Sequence, residues 1–467
     1  MTNTRDRDPG RLTRRDVLQG VGAMVGTAAI GCSDDDAGNQ SQTPAVNLSP
    51  EQLLKNIDAI VVVMMENRAF DHYYGAYELV EGRKVDGLTG NESNPAPDGS
   101  TVTIGPITNF TTDPDPPHNW EQSHGQFNGG SMDGFATEYE KDSPGADLHA
   151  VMSYYTRTQL PVSYALADAY SLCNRWFASV MGPTWPNRYY LHCATSGGMM
   201  ANQPIHLTGI LDALDAAGIP CGYYASSLPF AAAYGYANTG NMKTIDAFYT
   251  AAAEGTLPAL SFVDPIFTAL DTIGNDDHPP ADVRDGQAFL ASIHDALAQS
   301  PQWNRCLFVV TYDEHGGFYD HVLPPETDDD LPEFRQLGFR VPSLVIGPHV
   351  KRGALIDTSF EHSSVIATVT RKFGLEPLNA RVAATSDLSS AIDPRFVDNP
   401  QPAAALPAVE LDLERPLLHP GRNFGGQVEL ARLSDSLRID WRQRARLARR
   451  AIDANALRLG SIRARSR

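Results

Sequence analysis

Glu66 and Asn67 close an apolar run, IDAIVVVMM, that begins at Ile57. Asp264 closes another, LPALSFV, and Asp313, Glu314 and His315 close a third, RCLFVVTY. If these runs are neighbouring strands of one parallel sheet, four carboxylates and an amide gather at its carboxyl rim, where α/β sheets bind their ligands. Carboxylates crowded in that way repel one another unless a cation sits among them, and an oxygen-rich set suits a divalent metal. Singly, each of these residues also reads as a cap or a turn. Recurrence at several strand ends is what turns the reading towards a site.

Thr184 lies in MGPTWPNRYYLHCA, residues 181–194, two positions before Pro186. Proline fits the first turn of a helix, so Thr184 falls at or just before a helix N-terminus. Free N–H groups and the positive end of the dipole there favour an alkoxide, or a phosphoryl group bound to it. A plain N-cap is the other reading of the same spacing. His118, after DPDPP, and His278, in NDDHPP, stand in loops where nothing apolar demands them. Such histidines bind phosphate oxygens or protonate a leaving group near neutral pH, and otherwise are simply exposed.

The elements that must hold these groups are legible as an alternation. Continuous apolar runs at 57–65, 219–225, 257–265, 305–315 and 341–350 read as strands buried on both faces, with helical patterns such as 287–300 between them. That predicts an α/β fold, a mostly parallel central sheet flanked by helices. The stretch 85–150, rich in Pro, Gly, Asn and Asp, reads as a long insertion over one end of the sheet, without core elements. With 467 residues, 42% of them hydrophobic, the chain has material for one large domain. A net charge of −19 argues against nucleic acid as a partner, and beyond the N-terminus no apolar stretch is long enough to span a membrane. The five cysteines contain no CxxC pair, so neither a zinc ribbon nor a thioredoxin-like site is encoded.

Residues 13–32, TRRDVLQGVGAMVGTAAIGC, place Arg14 and Arg15 before a Gly/Ala-rich apolar run and a cysteine. This reads as a twin-arginine export signal over residues 1–32, with the export machinery as a partner and the cell envelope as the destination. The ending AIGC reads as a lipoprotein cleavage box with Cys32 acylated; an ordinary exported signal with an accidental cysteine is the alternative. Residues 33–55 read as a flexible tether, 56–400 as the catalytic domain and 401–467 as an extension. Outside the cytoplasm the other four cysteines are expected to be available for disulfides of undetermined pairing. From Leu430 onward there are 11 Arg against three Asp, and Leu433, Leu437, Trp441, Ala445, Ala448 and Ile452 fall at helical spacing. A basic amphipathic helix is predicted, its partner either a membrane surface or the protein's own acidic surface.

Five segments carry a resemblance. MENRAFDHYYG (65–75), MGPTWPNRYYLHCATSGG (181–198), NDDHPPADVRDGQAFL (275–290), TYDEHGGFYDHVLPP (311–325) and FEHSSVIATVTRKFGL (360–375) resemble, in this order, the bacterial phosphoesterase family. That family holds the non-specific phospholipases C and certain acid phosphatases and has the alkaline phosphatase-like fold. The resemblance implies that Glu66, Asn67, Asp313 and Glu314 bind one divalent metal ion, with Ca²⁺, Zn²⁺, Mn²⁺ and iron all open. It implies that Thr184 is the nucleophile, at a position where some phosphatase members have Ser. His118 and His278 match histidines that line the phosphate pocket; Asp264 and His315 are placed among the groups facing the phosphate, while His321 and His362 lie in matching motifs without an assigned role. In the mechanism so implied, the metal lowers the pKa of the Thr184 hydroxyl, Thr184 attacks phosphorus, and His278 protonates the leaving alcohol. A phospholipid or another phosphate ester is then the substrate. A phosphomonoesterase sharing every catalytic residue is the nearest alternative, and a non-catalytic envelope lipoprotein the remote one. The chain differs from the larger phospholipases C in having only the short Arg-rich tail after about residue 400.

Overall fold

Seven consecutive residues, Ala59–Met65, are wholly buried and form β1, the strand from which the site is built. The computed structural model describes residues 47–465, so the export signal, Cys32 and most of the tether lie outside the described residues. Seven further strands complete the main sheet: β2 Ser171–Cys173, β3 Cys221–Ala225, β4 Met242–Thr244, β5 Leu260–Val263, β6 Cys306–Tyr312, β7 Leu344–Ile346 and β8 Ala354–Ile356. Their order across the sheet is β8-β2-β7-β6-β1-β5-β3-β4. β1 runs parallel to β6 on one side and to β5 on the other, and β7 alone is antiparallel to both its neighbours. The expected α/β fold with a mostly parallel sheet is therefore the observed one. β2, β4 and β8, three residues each, are too short to stand out as apolar runs in the sequence.

Register decides what meets at the rim. Met65 of β1 pairs with Tyr312 of β6, and parallel strands in this register emit their next residues side by side, so Glu66–Asn67 and Asp313–Glu314 leave the sheet together. Asp313 N–H donates to the Met65 carbonyl at 3.1 Å, one step beyond the ladder.

Two expectations are corrected. Residues 33–55 are not all tether: Pro50–Leu54 form helix α1, started by a reciprocal Ser49–Gln52 capping box with Pro50 in the first turn, and Leu54 is buried in the core. The insertion at 85–150 is not free of core elements. It contains helices at Trp120–Phe127 and Phe135–Asp142, and its Met132, Phe135 and Tyr139 join Val151, Met152, Tyr319 and Phe339 in a small second core. Its apolar residues are dispersed among Gly and Pro, which hides their periodicity.

Helix α2, Thr184–Cys193, carries the nucleophile candidate; α3, Ile245–Glu254, packs on β3 and β4, and α4, Val283–Ala298, packs on α3. The tail is two helices, α5 Val428–Ser436 and α6 Trp441–Leu459, divided where Arg438 takes a positive φ of 58° and the Asp440 side chain caps α6. Trp441, Ala445, Ala448, Ile452 and Ala456 of α6 are buried, and the helix packs on α3 and α4, whereas Leu437 is 53% exposed at the break. The single stripe read through Leu437 fails there because the chain turns. Cys173, Cys193, Cys221 and Cys306 are buried and free, so no disulfide joins them; Cys221 Sγ accepts from Asn241 Nδ2 at 3.3 Å. Among the described residues no helix is long and apolar enough to cross a membrane.

Candidate active site

Asn67 takes a left-handed φ of 59°, which an asparagine tolerates better than most side chains. Its N–H donates to Asp313 Oδ1 at 3.0 Å, and Glu314 N–H donates to the same oxygen at 2.7 Å. The YDEHGG turn allows this through Gly316, at φ 65°, where a Cβ would lie 2.3 Å from the Asn67 carbonyl oxygen. His362 Nε2 donates to the Asp313 carbonyl at 2.7 Å, and its Nδ1 accepts from Trp176 at 3.3 Å, pinning the end of β6 from behind. Burial holds His362 down at about 4, so it works there as a neutral hydrogen-bonding group.

Arg188, one helical turn after Thr184 and wholly buried, enters the carboxylate cluster. Its Nη2 lies 3.1 Å from Glu66 Oε1, its Nε 3.5 Å from Asp313 Oδ2 and its Nη1 3.9 Å from Asp264 Oδ1. Asp264 also accepts from the Tyr223 hydroxyl and, at 3.4 Å, from Phe230 N–H. One guanidinium does not balance this many acids. Burial first, and then the neighbouring carboxylates, push Glu66 and Asp313 above the ordinary range against the pull of Arg188, and burial lifts Asp264 to about 6. Burial opposes ionisation of Glu314 too, yet His118 and His315 hold it below its ordinary value.

Glu66 Oε2, Asn67 Oδ1, Asp313 Oδ2 and Glu314 Oε1 are buried without a hydrogen-bond partner. Buried polar atoms are seldom left so, and four oxygens on the four residues expected to ligate a metal are the donor set a hard divalent cation takes. The donor chemistry of these four side chains fits such an ion. The three carboxylates are nevertheless spread apart: among the described residues, the trios with ligand atoms within 4.8 Å of one another are Asp115–His118–His278 and Asp71–Asp320–His321. The second trio is already charge-paired, since Arg340 lies 2.9 Å from both Asp71 and Asp320.

The first trio adjoins Asn67. His118 Nδ1 donates to the Pro116 carbonyl at 2.7 Å, which leaves Nε2 facing Asn67 Nδ2 at 3.2 Å. His278 Nδ1 donates to Pro279 at 2.6 Å, and its Nε2 lies 3.6 Å from Asp115 Oδ2. The two imidazoles meet edge to face at 5.9 Å. Burial opposes protonation of His118, but Glu314 and Asp115 outweigh it and push it up to about 9. His315 is held between Gln126 at 2.7 Å and Glu314 at 3.2 Å. His321 stands apart, against Asp71 at 2.6 Å.

Thr184 is the first residue of α2, buried, with Pro183 as N-cap and no side-chain capping bond. The nest of free amides expected there is thinner than the spacing suggested, because Asn202 takes the Trp185 N–H at 2.9 Å and Pro186 has none. Positions 184 and 188 share a helix face, so Thr184 stands one turn before the arginine that meets Glu66 and Asp313.

The sequence model of the Phosphoesterase family matches residues 57–376, which take in both strand ends, α2 and the His278 loop. The chain belongs to the phosphoesterase family. This phosphoesterase is a hydrolase of phosphoric esters. It is 35% identical over 371 residues to non-specific phospholipase C1 of Arabidopsis thaliana, covering 70% of this chain and 69% of the relative. It is 29% identical over 425 residues to phospholipase C B of Mycobacterium tuberculosis, covering 75% and 80%. A solved structure of an alkaline phosphatase superfamily protein from Vibrio parahaemolyticus is similar at 13% identity and a TM-score of 0.35, covering 50% of this chain and 64% of that one.

Sequence reasoning missed Arg188, Asp115 and Gln126, all in contact with site residues of the phosphoesterase. Arg188 was discoverable, four residues after Thr184 on a helix that had been foreseen. Asp115 and Gln126 carry no such signal, since only the fold of the insertion brings them in.

Proposed function

We propose that this phosphoesterase cleaves phosphodiesters in the manner of a phospholipase C, through a phosphothreonine intermediate on Thr184. The observation that carries the reading is the set of four buried oxygens without a hydrogen-bond partner on Glu66, Asn67, Asp313 and Glu314, next to the His118–His278 pair. The relatives named phospholipase C support the diester class. Glu66, Asn67, Asp313 and Glu314 would hold a divalent cation, which would supply positive charge favouring ionisation of the Thr184 hydroxyl and a charged phosphoryl oxygen. Thr184 Oγ attacks phosphorus as its proton passes to solvent, and the bond from phosphorus to the alcohol oxygen breaks. With Nδ1–H committed to Pro279, His278 has Nε2, 3.6 Å from Asp115 Oδ2, to give a proton to that oxygen. His118 neutralises a phosphoryl oxygen. Water then attacks the phosphothreonine, Thr184 Oγ leaves with a proton, and a phosphate monoester is released.

The deciding experiment compares initial rates on p-nitrophenylphosphorylcholine and p-nitrophenyl phosphate with one metal-reconstituted preparation. A higher rate on the diester is expected; preference for the monoester would assign a phosphatase instead.

The enzyme is further proposed to leave the cytoplasm folded by the twin-arginine route and to be held at a membrane through acylated Cys32, on the support of residues 13–32 alone. Changing Arg14 and Arg15 to Lys should leave precursor in the cytoplasm. A mature protein that takes up no clickable fatty acid would refute the anchor and leave a secreted enzyme.

A further inference from the structure

Gln427 lies 51 residues beyond the stretch that the family model matches, yet its side chain ends inside the site. Its Nε2 donates to Glu66 Oε1 at 2.6 Å, and its Oε1 accepts from Trp185 Nε1 at 2.8 Å. An indole N–H only donates and an ionised carboxylate only accepts, so the amide has a single orientation that serves both. Glu66 Oε1 also accepts from Arg188 at 3.1 Å, whereas Glu66 Oε2 has no partner. Two donors on one oxygen turn the carboxylate so that the other is left for a cation.

The chain reaches this point by clasping the loop that precedes His278. Isolated bridges join Ala269 to Gly426 and Thr272 to Leu418, and Gln427 N–H donates to the Thr268 carbonyl at 2.8 Å. Gly426 has φ 67°, and a Cβ there would lie 2.2 Å from the same carbonyl oxygen, so the approach requires glycine. The clasped loop holds Glu66 in turn: Thr268 Oγ1 donates to Asp276 at 2.9 Å, and the Asp276 carbonyl accepts Glu66 N–H at 2.8 Å. The C-terminal segment thus grips Glu66 twice, at its side chain and through the loop at its backbone.

We propose that Gln427 is a positioning residue for the reaction, orienting Glu66 as a metal ligand and tying it to Trp185, the neighbour of the nucleophile Thr184. The inference rests on the metal-site reading given above. It makes the segment after residue 400 part of the catalytic apparatus.

The test is Gln427→Met, which keeps the volume and removes both hydrogen bonds, compared with Ile452→Ala on α6, which loosens the fold away from the site. Chelator-treated enzyme is titrated with Mn²⁺ by calorimetry, and thermal midpoints and kcat and KM are measured beside it. Loss of an outer partner of a metal ligand is expected to weaken Mn²⁺ binding by about 10- to 100-fold in Q427M. I452A should lower the midpoint and leave Mn²⁺ affinity unchanged. Wild-type affinity in Q427M, or losses in both variants that simply track the midpoint, would overturn the proposal. Should Q427M not fold, Gln427→Asn, which withdraws the amide by one methylene, is expected to weaken Mn²⁺ in the same direction, and its failure to do so overturns the proposal equally. Wild-type enzyme that binds no divalent cation would refute the metal site itself, and Gln427's role with it; wild-type binding matched by Q427M refutes only the latter.

Discussion

Thr184 has a hydroxyl with no protein partner among the described residues, on the face of α2 that carries Arg188. Thr184→Ala therefore removes a reactive group and one methyl, a loss of about 1 kcal/mol in burial with no cap to lose. Turnover should fall below about 1% of wild type while the circular dichroism spectrum and metal content persist; activity well above that level would take Thr184 out of the mechanism. Glu314 makes the complementary case. Its Oε2 accepts Gly316 N–H at 2.7 Å and its Oε1 is unpartnered, so Glu314→Gln keeps the shape and deletes a charge. Reduced metal occupancy by elemental analysis is expected, and full occupancy would remove Glu314 from the ligand set.

At the scale of elements, the turn after β6 and the Glu66–Asn67 segment after β1 depend on each other. Gly316→Ala would set a methyl 2.3 Å from the Asn67 carbonyl at a positive φ, and backbone cannot yield as a side-chain tip does. We expect a thermal midpoint lower by several degrees and a larger loss in kcat than Ile452→Ala produces at equal midpoint. A second junction is pH-sensitive. Burial and Arg340 disfavour protonated His321, but hydrogen bonding to Asp71 and the charges of Asp71 and Asp320 outweigh them and raise it from 6.5 to about 9, with Asp86 facing the other ring nitrogen at 3.4 Å. A histidine raised on folding contributes stability that is complete below about 6.5 and lost as pH rises through about 9. Thermal midpoints of wild type and His321→Gln should consequently differ most near pH 6 and converge by pH 9.5; a gap that widens with pH would show that the pair is not formed.

Across the whole molecule, the tail is a buttress. Trp441, Ala445, Ala448, Ile452 and Ala456 are buried, Arg442 pairs with Asp271 at 2.8 Å and Arg415 with Asp453 at 3.1 Å, while Arg449 lies 3.5 Å from Asp285. Removing residues 441–467 should lower the midpoint by about 5 °C or more, since a buried tryptophan and isoleucine alone contribute a few kcal/mol. Binding to anionic vesicles at low salt is expected to be unchanged, because the apolar stripe is already covered; weakened binding would assign the exposed arginines a membrane role. Much of this protein was legible in one dimension. Apolar runs announce strands buried on both faces, and a polar residue closing each run announces the rim, because burial and chain direction are written locally in residue type. The sheet order, the antiparallel β7 and the second core of the insertion are not written that way. Nor are Arg188 between Glu66 and Asp313, Asp115 beside His278, or Gln427 on Glu66, for each is a contact between segments distant in the chain. Such contacts are selected by packing and by the need to compensate buried charge, and only the tertiary structure settles which side chains meet.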